Sequence, residues 1–510
     1  MSESRDPQST SATGTHRAFR RVFSGVGVAM FLAAADQTIL ASALPTIASS
    51  LGGLSDLSWV IVSYLLAATV AAPLYGYIGD RFGRRRALLG ALGVFTGASL
   101  ACALSPSFLW LIVFRALQGL GGGGLMTLAQ ALIGEHVAPR ERGRYAGYFA
   151  MVFALASTSG PVLGAYLTEH LSWRAVFLVN LPLGILAGLL ALRVPHVAPA
   201  RRSGPFRPDV LGAVMFCIAT AAFLFALSSG GHRFAWASWP MVALLALAAL
   251  AFAFLAWWEP RHSDPVIPIH FLKMPAIARA DAVVLCFGGC LFATIVYLPL
   301  YLQLGRGLGI GASGALLMPI TLAQVVSAAI TGRLVTHTGQ VKIFPIIGLS
   351  LATLAYSGLA VAVGGAPTTA VMALTMLVGV GLGMVMPPTQ VAVQTAAGRH
   401  ALGVATGSIS LCRAVGGAVG VAVVGAVLFA LVDGAKDGTA ALLRDAMERG
   451  SAFIAQLSAT QRETLVGGVN DAYRVAFVAL AILAATGATI ATTVPRLDWS
   501  AEADSSGDAQ

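Results

Sequence analysis

The sequence predicts an all-α protein that crosses a membrane many times. Only 11% of the 510 residues are charged, 57% are hydrophobic, and the mean hydropathy is +0.80, whereas about a quarter of the residues in a soluble domain are charged. The apolar residues form long runs such as 87–104 and 240–258, which are typical of membrane-spanning helices. The alternating pattern of a transmembrane barrel is not seen. A water-soluble multidomain enzyme is therefore not expected.

Fourteen apolar segments are long enough to span a bilayer, because about 20 helical residues cross its hydrocarbon core. Their predicted bounds are 22–45, 57–79, 87–104, 108–133, 145–168, 173–193, 209–229, 236–258, 276–303, 312–335, 343–363, 369–391, 403–431 and 473–494. The first segment lacks a convincing small-residue cleavage site. We therefore interpret it as a retained helix and not as a signal peptide.

The basic residues predict the orientation. If the N-terminus is cytoplasmic, 22 of the 32 Lys and Arg residues fall on the cytoplasmic side and eight on the other side, while Arg115 and Arg413 lie within the membrane. Because Lys and Arg are enriched in cytoplasmic loops, both termini are predicted to be cytoplasmic, in a multi-pass protein of the plasma (inner) membrane. The basic residues form no single stripe with interleaved aromatics, so no nucleic-acid partner is expected.

An internal repeat divides the chain. GYIGDRFGRRR at 76–86 and GRLVTHTGQVK at 332–342 follow the second and tenth segments, so that Gly83 matches Gly339. Repeated halves around a central site are typical of transporters, and the predicted fold is two six-helix bundles with inverted repeats plus two inserted helices. The predicted domains are a disordered cytoplasmic tail (1–21), an N-terminal bundle (22–193), linkers with two inserted helices (194–275), a C-terminal bundle (276–494) with an outer loop (432–472), and a cytoplasmic tail (495–510).

The first apolar segment contains an acidic residue, Asp36, whose position inside a membrane has to be explained. An ionised carboxylate at the bilayer centre costs about 2.5–3.5 kcal/mol on insertion scales. Asp36 nevertheless lies roughly 21 Å from the inner end of its helix, at ~1.5 Å per residue, and Arg115 of the fourth segment reaches a similar depth. Burial favours the protonated acid and a nearby arginine favours the carboxylate, so a moving Arg115 can change the protonation of Asp36. The alternative is a static structural ion pair.

The first repeated loop concentrates charge at the inner membrane face. Its candidate residues are Gly76, Asp80, Arg81, Gly83, Arg84 and Arg85. Asp80 is predicted near the N-terminus of the third helix, where the helix dipole favours an anion. The loop is either a cytoplasmic gate latch, with Arg144 as a possible partner, or a set of charges that only fixes topology. The latch is favoured, because Asp and Gly do not contribute to topology.

Five segments resemble the major facilitator superfamily. GYIGDRFGRRR resembles its loop motif G-x-x-x-D-R-x-G-R-[RK]-[RK]. Four segments resemble its fourteen-helix drug:proton antiporter branch: DQTILASALPTIA (36–48), RALQGLGGGG (115–124), SGPVLGAYL (159–167) and WRAVFLVNLPLG (173–184). The resemblance covers residues 22–494. It implies the two-bundle fold, alternating access and proton-coupled export, with Asp36 and Arg115 as coupling residues.

Gly160-Pro161 in the fifth segment removes one backbone hydrogen bond and allows a bend. Together with Gly164 it forms either a structural kink or a hinge and leak seal specific to export. The family's antiporter motif usually begins with a small Gly and ends in a Gly pair. This chain has Ala156 and Gly164-Ala165 at those places.

Further polar residues in the predicted spans are candidates for a substrate cavity or for bridges between helices. They are Gln118, Asn180, Asp281, Gln324, Gln390 and Arg413. The five cysteines lie in apolar runs without a metal-ligating pattern, so neither a metal site nor a disulfide is predicted. The glycine run 119–124 matches G-x-G-x-x-G but lies in an apolar span, which favours close helix packing over a dinucleotide site.

The predicted function is a proton-coupled secondary exporter, an antiporter and not an enzyme, for amphipathic hydrophobic or cationic drug-like compounds. Export of an endogenous metabolite or lipid by the same machinery is the alternative, and a membrane-embedded sensor or enzyme is a remote one. The expected partners are the lipid bilayer, protons and small amphipathic substrates. No cofactor is expected. The sequence contains no G-x-x-x-x-G-K-[ST] motif, so an ATP-driven pump would need an accessory subunit.

Overall fold

A computed structural model describes ten stretches of the chain. They are residues 7–51, 58–137, 139–195, 209–230, 234–262, 265, 273–308, 316–398, 401–433 and 457–495. These stretches are almost entirely helical, and their only β-structure is an isolated bridge between Gly230 and Phe234.

Sixteen α-helices are found in these described stretches. The first half contains α1 (Pro7–Leu51), α2 (Ser58–Phe82), α3 (Arg84–Ala103), α4 (Phe108–His136), α5 (Pro139–His170), α6 (Ala175–Leu178) and α7 (Asn180–Ala191). The inserted pair is α8 (Val210–Ser229) and α9 (Trp239–Trp258), followed by a 3₁₀ turn at Glu259–Arg261. The second half contains α10 (Pro275–Leu304), α11 (Leu317–Thr338), α12 (Ile343–Ala362), α13 (Thr368–Gly383), α14 (Met386–Ala397), α15 (Leu402–Asp433) and α16 (Ala459–Thr493).

Twelve helical segments in the described part of the chain are long and apolar enough to cross a membrane. Each coincides with one of the fourteen predicted spans. The other two predicted spans correspond to α5 and to the pair α6–α7, which covers only residues 175–191. Val179, between α6 and α7, keeps helical dihedral angles (φ −62°, ψ −23°), so residues 175–191 form one apolar helix with a local irregularity. Pro182 accounts for the irregularity, because it has no N–H to donate.

The two repeated loops share a glycine with a left-handed backbone. Gly83, between α2 and α3, has φ 97°, and Gly339, at the end of α11, has φ 69°. Side chains other than glycine are strained at such angles. The paired glycines of the internal repeat therefore both provide a positive φ, although their ψ angles differ, at 124° for Gly83 and 2° for Gly339.

Two helices extend beyond their predicted bounds. α1 begins at Pro7, so most of the stretch expected to be a disordered tail (1–21) is helical. Extending a helix is easier than nucleating one, and the apolar first segment supplies the nucleus. α16 begins at Ala459, within the predicted outer loop 432–472. A capping box starts it, since Ser458 N donates to Gln461 Oε1 over 3.0 Å and Gln461 N to Ser458 Oγ over 3.3 Å.

The chain forms two compact units. The first contains residues 1–222, 247–274 and 393–411, and the second contains residues 223–246, 275–392 and 412–510. Residues 393–411 were predicted within the C-terminal bundle but belong to the first unit. The beginning of α15 is therefore part of the first unit.

The core of the first unit depends on close backbone packing. α4 lies along α2, and a methyl group added to Gly119 or Gly123 would collide with the carbonyl oxygens of Tyr64 and Ala68. The glycine run thus packs helices together, as its position in an apolar span predicts. The second unit has a more aromatic core, in which Tyr301, Tyr473 and Phe477 pack with ring centroids 5.1 to 6.1 Å apart.

Candidate functional site

A buried ion pair joins α1 to α4. Arg115 Nη1 donates to Asp36 Oδ2 over 2.6 Å, and each side chain is 1% exposed. Asp36 is the only charged residue of α1 between Val22 and Leu51. The two residues that the sequence paired only by their depth are therefore in direct contact.

Two amides complete the environment of the carboxylate. Gln118 Nε2 donates to Asp36 Oδ1 over 2.9 Å, and Asn180 Nδ2 donates to the same oxygen over 2.8 Å. Gln118 also donates to Ser99 Oγ over 2.7 Å and accepts from Arg115 Nη1 over 2.7 Å. Asp36 is thus surrounded by three donors. The cluster draws one or more residues from each of α1, α3, α4 and α7.

Aromatic rings hold the other side of the guanidinium. The Arg115 Cζ atom lies 4.4 Å from the ring centroid of Tyr64 on α2 and 5.9 Å from that of Phe177 on α6. Arg115 Nε donates to the Val60 carbonyl over 3.2 Å. Cation–π contacts of this kind are strongest where water is excluded. Arg115 is therefore fixed from α2 and α6 as well as by Asp36.

This donor set fits an ionised Asp36. A carboxylate only accepts hydrogen bonds, whereas a protonated acid must also donate one, and all three neighbouring groups donate. Removing either charge would leave the other buried and unpaired, which is strongly destabilising. The three donors therefore tie α1 to α4 and α7 at Asp36.

Asp80, in the last turn of α2, caps the N-terminus of α15 within the first unit. Gly403 N donates to Asp80 Oδ1 over 2.9 Å and Val404 N to Oδ2 over 3.0 Å. The first N–H groups of a helix have no intrahelical partner, and the helix dipole favours an anion there. Asp80 was predicted near the N-terminus of α3, and it lies four residues before α3 begins at Arg84. The N–H groups from which it accepts are nevertheless those of α15.

Arg84 links this cap to α4. Its Nη2 atom lies 2.6 Å from Asp80 Oδ1 and its Nη1 atom 2.8 Å from Glu135 Oε1. α2 and α15 also touch through their backbones, because a methyl group on Gly76 or on Gly403 would collide with the carbonyl oxygen of the other. The motif at 76–86 therefore holds α2, α4 and the start of α15 together.

The remaining basic residues of the motif have different surroundings. Arg85 Nη2 donates to the Leu192 carbonyl, beyond the end of α7, over 2.5 Å. Arg81 is half-buried. The side chain of Arg144, the candidate partner of Asp80, lies outside the described residues. Arg84 is a basic partner that the structure places on Asp80.

The Gly160-Pro161 motif of α5 packs directly against α1. A methyl group on Gly160 would collide with Thr38, and one on Gly164 would collide with Ser42 and the Ile39 carbonyl. Thr38 Oγ1 also donates to the Ala156 carbonyl over 3.1 Å. The side chain of Pro161 lies outside the described residues. The motif thus contacts α1 only two residues from Asp36.

Comparison with known protein families identifies the family to which this chain belongs. The profile of the Major Facilitator Superfamily (MFS) matches residues 26–421. The chain belongs to this superfamily. Multidrug transporter protein MdtP of Bacillus subtilis (strain 168) is 31% identical over 409 residues, which cover 80% of this chain and 75% of that protein. An uncharacterised MFS-type transporter of Mycobacterium tuberculosis (strain CDC 1551 / Oshkosh) is 35% identical over 414 residues, 81% of this chain but only 60% of its own length.

Solved MFS structures share the fold. The human organic anion transporter MFSD10 (TETRAN) gives a TM-score of 0.62 at 16% identity, covering 91% of this chain and 99% of that one. The proton:xylose symporter XylE, bound to 6-bromo-6-deoxy-D-glucose, gives 0.61 at 12% identity, covering 95% and 98%. Identities this low establish a two-domain MFS fold and carry no information on substrates. The chain is therefore a multi-pass membrane protein of the MFS.

Four polar candidates lie in the second unit. Asp281 on α10 is 5% exposed and Gln390 on α14 is 8% exposed, while Gln324 on α11 and Arg413 on α15 are half-buried. None of the four lines the shallow pocket of the second unit whose walls include Lys342 and Thr389.

The sequence left Gln118 and Asn180 as candidates either for a substrate cavity or for bridges between helices. In the structure both donate to Asp36 and so bridge helices. Gln118 had a usable signal, because it follows Arg115 by three residues and so shares its helix face. For Asn180 the signal was weaker. Pro182, two residues later, cannot donate a backbone N–H and therefore predicts an irregular helix near Asn180. The reasoning missed Ser99 and Glu135 altogether. Contacts between distant parts of the chain leave no trace in hydropathy.

Proposed function

We propose that this MFS transporter is a proton-coupled antiporter that exports amphipathic, hydrophobic or cationic drug-like compounds. The observation that carries the proposal is the Asp36–Arg115 pair, fully buried inside two apolar helices. Intramembrane charge is expensive and generally functional. The names of MdtP and of Multidrug resistance protein 3 of Bacillus subtilis, which is 29% identical over 411 residues, support a drug-like cargo.

In this proposal Asp36 alternates between two protonation states. As a carboxylate it is paired with Arg115, as in the described arrangement. A proton arriving from outside neutralises Asp36 and removes the partner of Arg115, which favours a rearrangement of α1 against α4. Release of the proton to the cytoplasm restores the pair. The transmembrane proton gradient then drives cargo outward.

The cap at Asp80 is the proposed cytoplasmic latch. Its contacts with Gly403 and Val404 tie α2 to the start of α15. An anion at a helix N-terminus stabilises the helix by about 0.3–1 kcal/mol, and by up to ~2 kcal/mol where it is partly buried. Opening this side of the transporter would break the cap, so the motif would set the height of one barrier in the cycle. In the same proposal Gly160-Pro161 is the hinge and leak seal.

The proposed topology has fourteen transmembrane helices, with both termini cytoplasmic in the plasma (inner) membrane. Here α5 and α6–α7 supply the two spans beyond the twelve described above. Reporter fusions at Arg202 and at Lys436 should give opposite signals, because the first position is cytoplasmic and the second is outside. Identical signals would contradict this map.

The decisive experiment measures pH-driven and exchange transport of ethidium, an amphipathic cation, in proteoliposomes. Asp36→Asn resembles the protonated state permanently, so it should retain ethidium exchange but lose accumulation driven by a pH gradient. Asp36→Glu is the matched control, because it keeps a titratable group and should retain part of the drive. Undiminished pH-driven transport by Asp36→Asn would move the proton site elsewhere, with Asp281 as the next candidate.

A further inference from the structure

The donors around Asp36 differ in how easily they can move. Arg115 carries no acceptor and is held by the Val60 carbonyl and by two aromatic rings. Gln118 is engaged at both ends, because its Nε2 atom serves Asp36 and Ser99 and its Oε1 atom accepts from Arg115. Neither group can leave Asp36 without breaking several bonds at once.

Asn180 is held more loosely. Its Nδ2 atom makes one short bond, 2.8 Å to Asp36 Oδ1, and one long contact, 3.4 Å to Ser99 Oγ. It is also the first residue of α7, directly after Val179. An asparagine side chain carries both a donor and an acceptor, so it can turn its carbonyl oxygen toward a protonated acid.

We propose that Asn180 is a positioning residue for the coupling proton: it holds Asp36 as a carboxylate and is the group that gives way when Asp36 takes up a proton. The inference rests on the proposed coupling role of Asp36 and adds α7 to it. The bond between Asn180 and Asp36 ties α7 to α1 while the acid is ionised. Protonation weakens this tie, and the start of α7 can then move.

Other titratable or charged groups face the same acid from the neighbouring helices. They are Arg115 on α4, Tyr64 on α2 and Cys102 on α3, whose Sγ atom lies 3.7 Å from Gln118 Oε1. On α5, the described contact with α1 near Asp36 is through Ala156 and Gly160. Arg115 is the single cation among these neighbours. An amide that donates to the carboxylate favours the ionised form of Asp36, as Arg115 does.

The test is the pH dependence of ethidium transport by the full-length protein in liposomes. Asn180→Leu keeps a similar volume but removes the donor. The proton affinity should rise about tenfold, because a hydrogen bond to a charged group is lost, and the pH of half-maximal transport should move up by about one unit. Ser105→Ala is the control: it removes a buried hydroxyl of the first unit that donates to the Cys102 carbonyl over 2.8 Å. It leaves the three donors on Asp36 and their partner Ser99 in place, so that pH should stay unchanged.

Asn180→Ser provides a second variant if leucine does not fit, since serine is too short to reach Asp36. An active variant with an unchanged pH of half-maximal transport would overturn the role of Asn180 alone. Loss of folding and exchange in both Asn180 variants would also overturn it, by making the residue structural. Failure of the proposed function looks different, because then Asp36→Asn itself would keep full pH-driven transport.

Discussion

The two units bury polar groups of different kinds. In the described residues, the first unit buries an acid and a base in contact, Asp36 and Arg115, together with two amides. Apart from Asp281 and Gln390, the polar side chains buried in the second unit are hydroxyls. Thr294 and Tyr356 are an example, 2.7 Å apart. Hydroxyls can donate and accept without carrying charge. The proposed proton site therefore lies in the first unit, whereas the second unit has an aromatic core.

The two copies of the repeated loop differ in the same way. Asp80 of the first copy reaches across to cap α15. At the matching place in the second copy, Thr336 donates to the Gly332 carbonyl of its own helix over 3.0 Å, and His337 is exposed. Both copies keep a glycine with a positive φ, at Gly83 and Gly339, but only the first copy keeps the acid. The ionic cap on α15 therefore belongs to the first copy alone.

The largest effect is expected from breaking the ion pair in the first unit. Arg115→Ala would leave the Asp36 carboxylate buried without its cation, which should lower the free energy of unfolding by about 3–5 kcal/mol. Thermal unfolding in detergent measures this loss. Asp36→Asn combined with Arg115→Gln should recover much of the stability, because no lone charge remains, while pH-driven transport stays absent. A single Arg115→Ala variant as stable as the wild type would show that the pair contributes little.

A smaller effect is expected at the repeated loops. Asp80→Asn keeps the shape of the side chain but removes the charge from the N-terminus of α15. Asp80→Asn should destabilise the state that is closed on the cytoplasmic side by roughly 1–2 kcal/mol, so this state is populated less. Transport should slow by about tenfold at unchanged expression, because 1.36 kcal/mol corresponds to a factor of ten. Thr336→Ala is the control at the matching place in the second copy and should transport normally. Equal slowing in both variants would contradict an ionic latch confined to the first copy.

The sequence predicted some parts of the site and missed others. Asp36 and Arg115 were predictable because charge in an apolar span is costly, and the turn at Gly83 was predictable from the repeat. The capping box at Ser458 and Gln461 was visible in the sequence. The prediction followed hydropathy instead and started the last helix at its apolar residues, after its true beginning. The cap on Gly403 and Val404 involves backbone N–H groups, which have no signature in sequence. Its partners lie more than 300 positions from Asp80.

The smallest effect is expected from the hydroxyls of the second unit. Tyr356→Phe removes an OH group that contacts Thr294 Oγ1 over 2.7 Å and donates to the Cys290 carbonyl over 3.2 Å. Hydrogen bonds between membrane helices contribute about 0.6 kcal/mol on average, so stability should fall only slightly. The pH of half-maximal ethidium transport should stay at the wild-type value, because no charged group loses a partner. A shift like that expected for Asn180→Leu would show that buried hydroxyls of the second unit share the proton chemistry, and the contrast between the units would then fail.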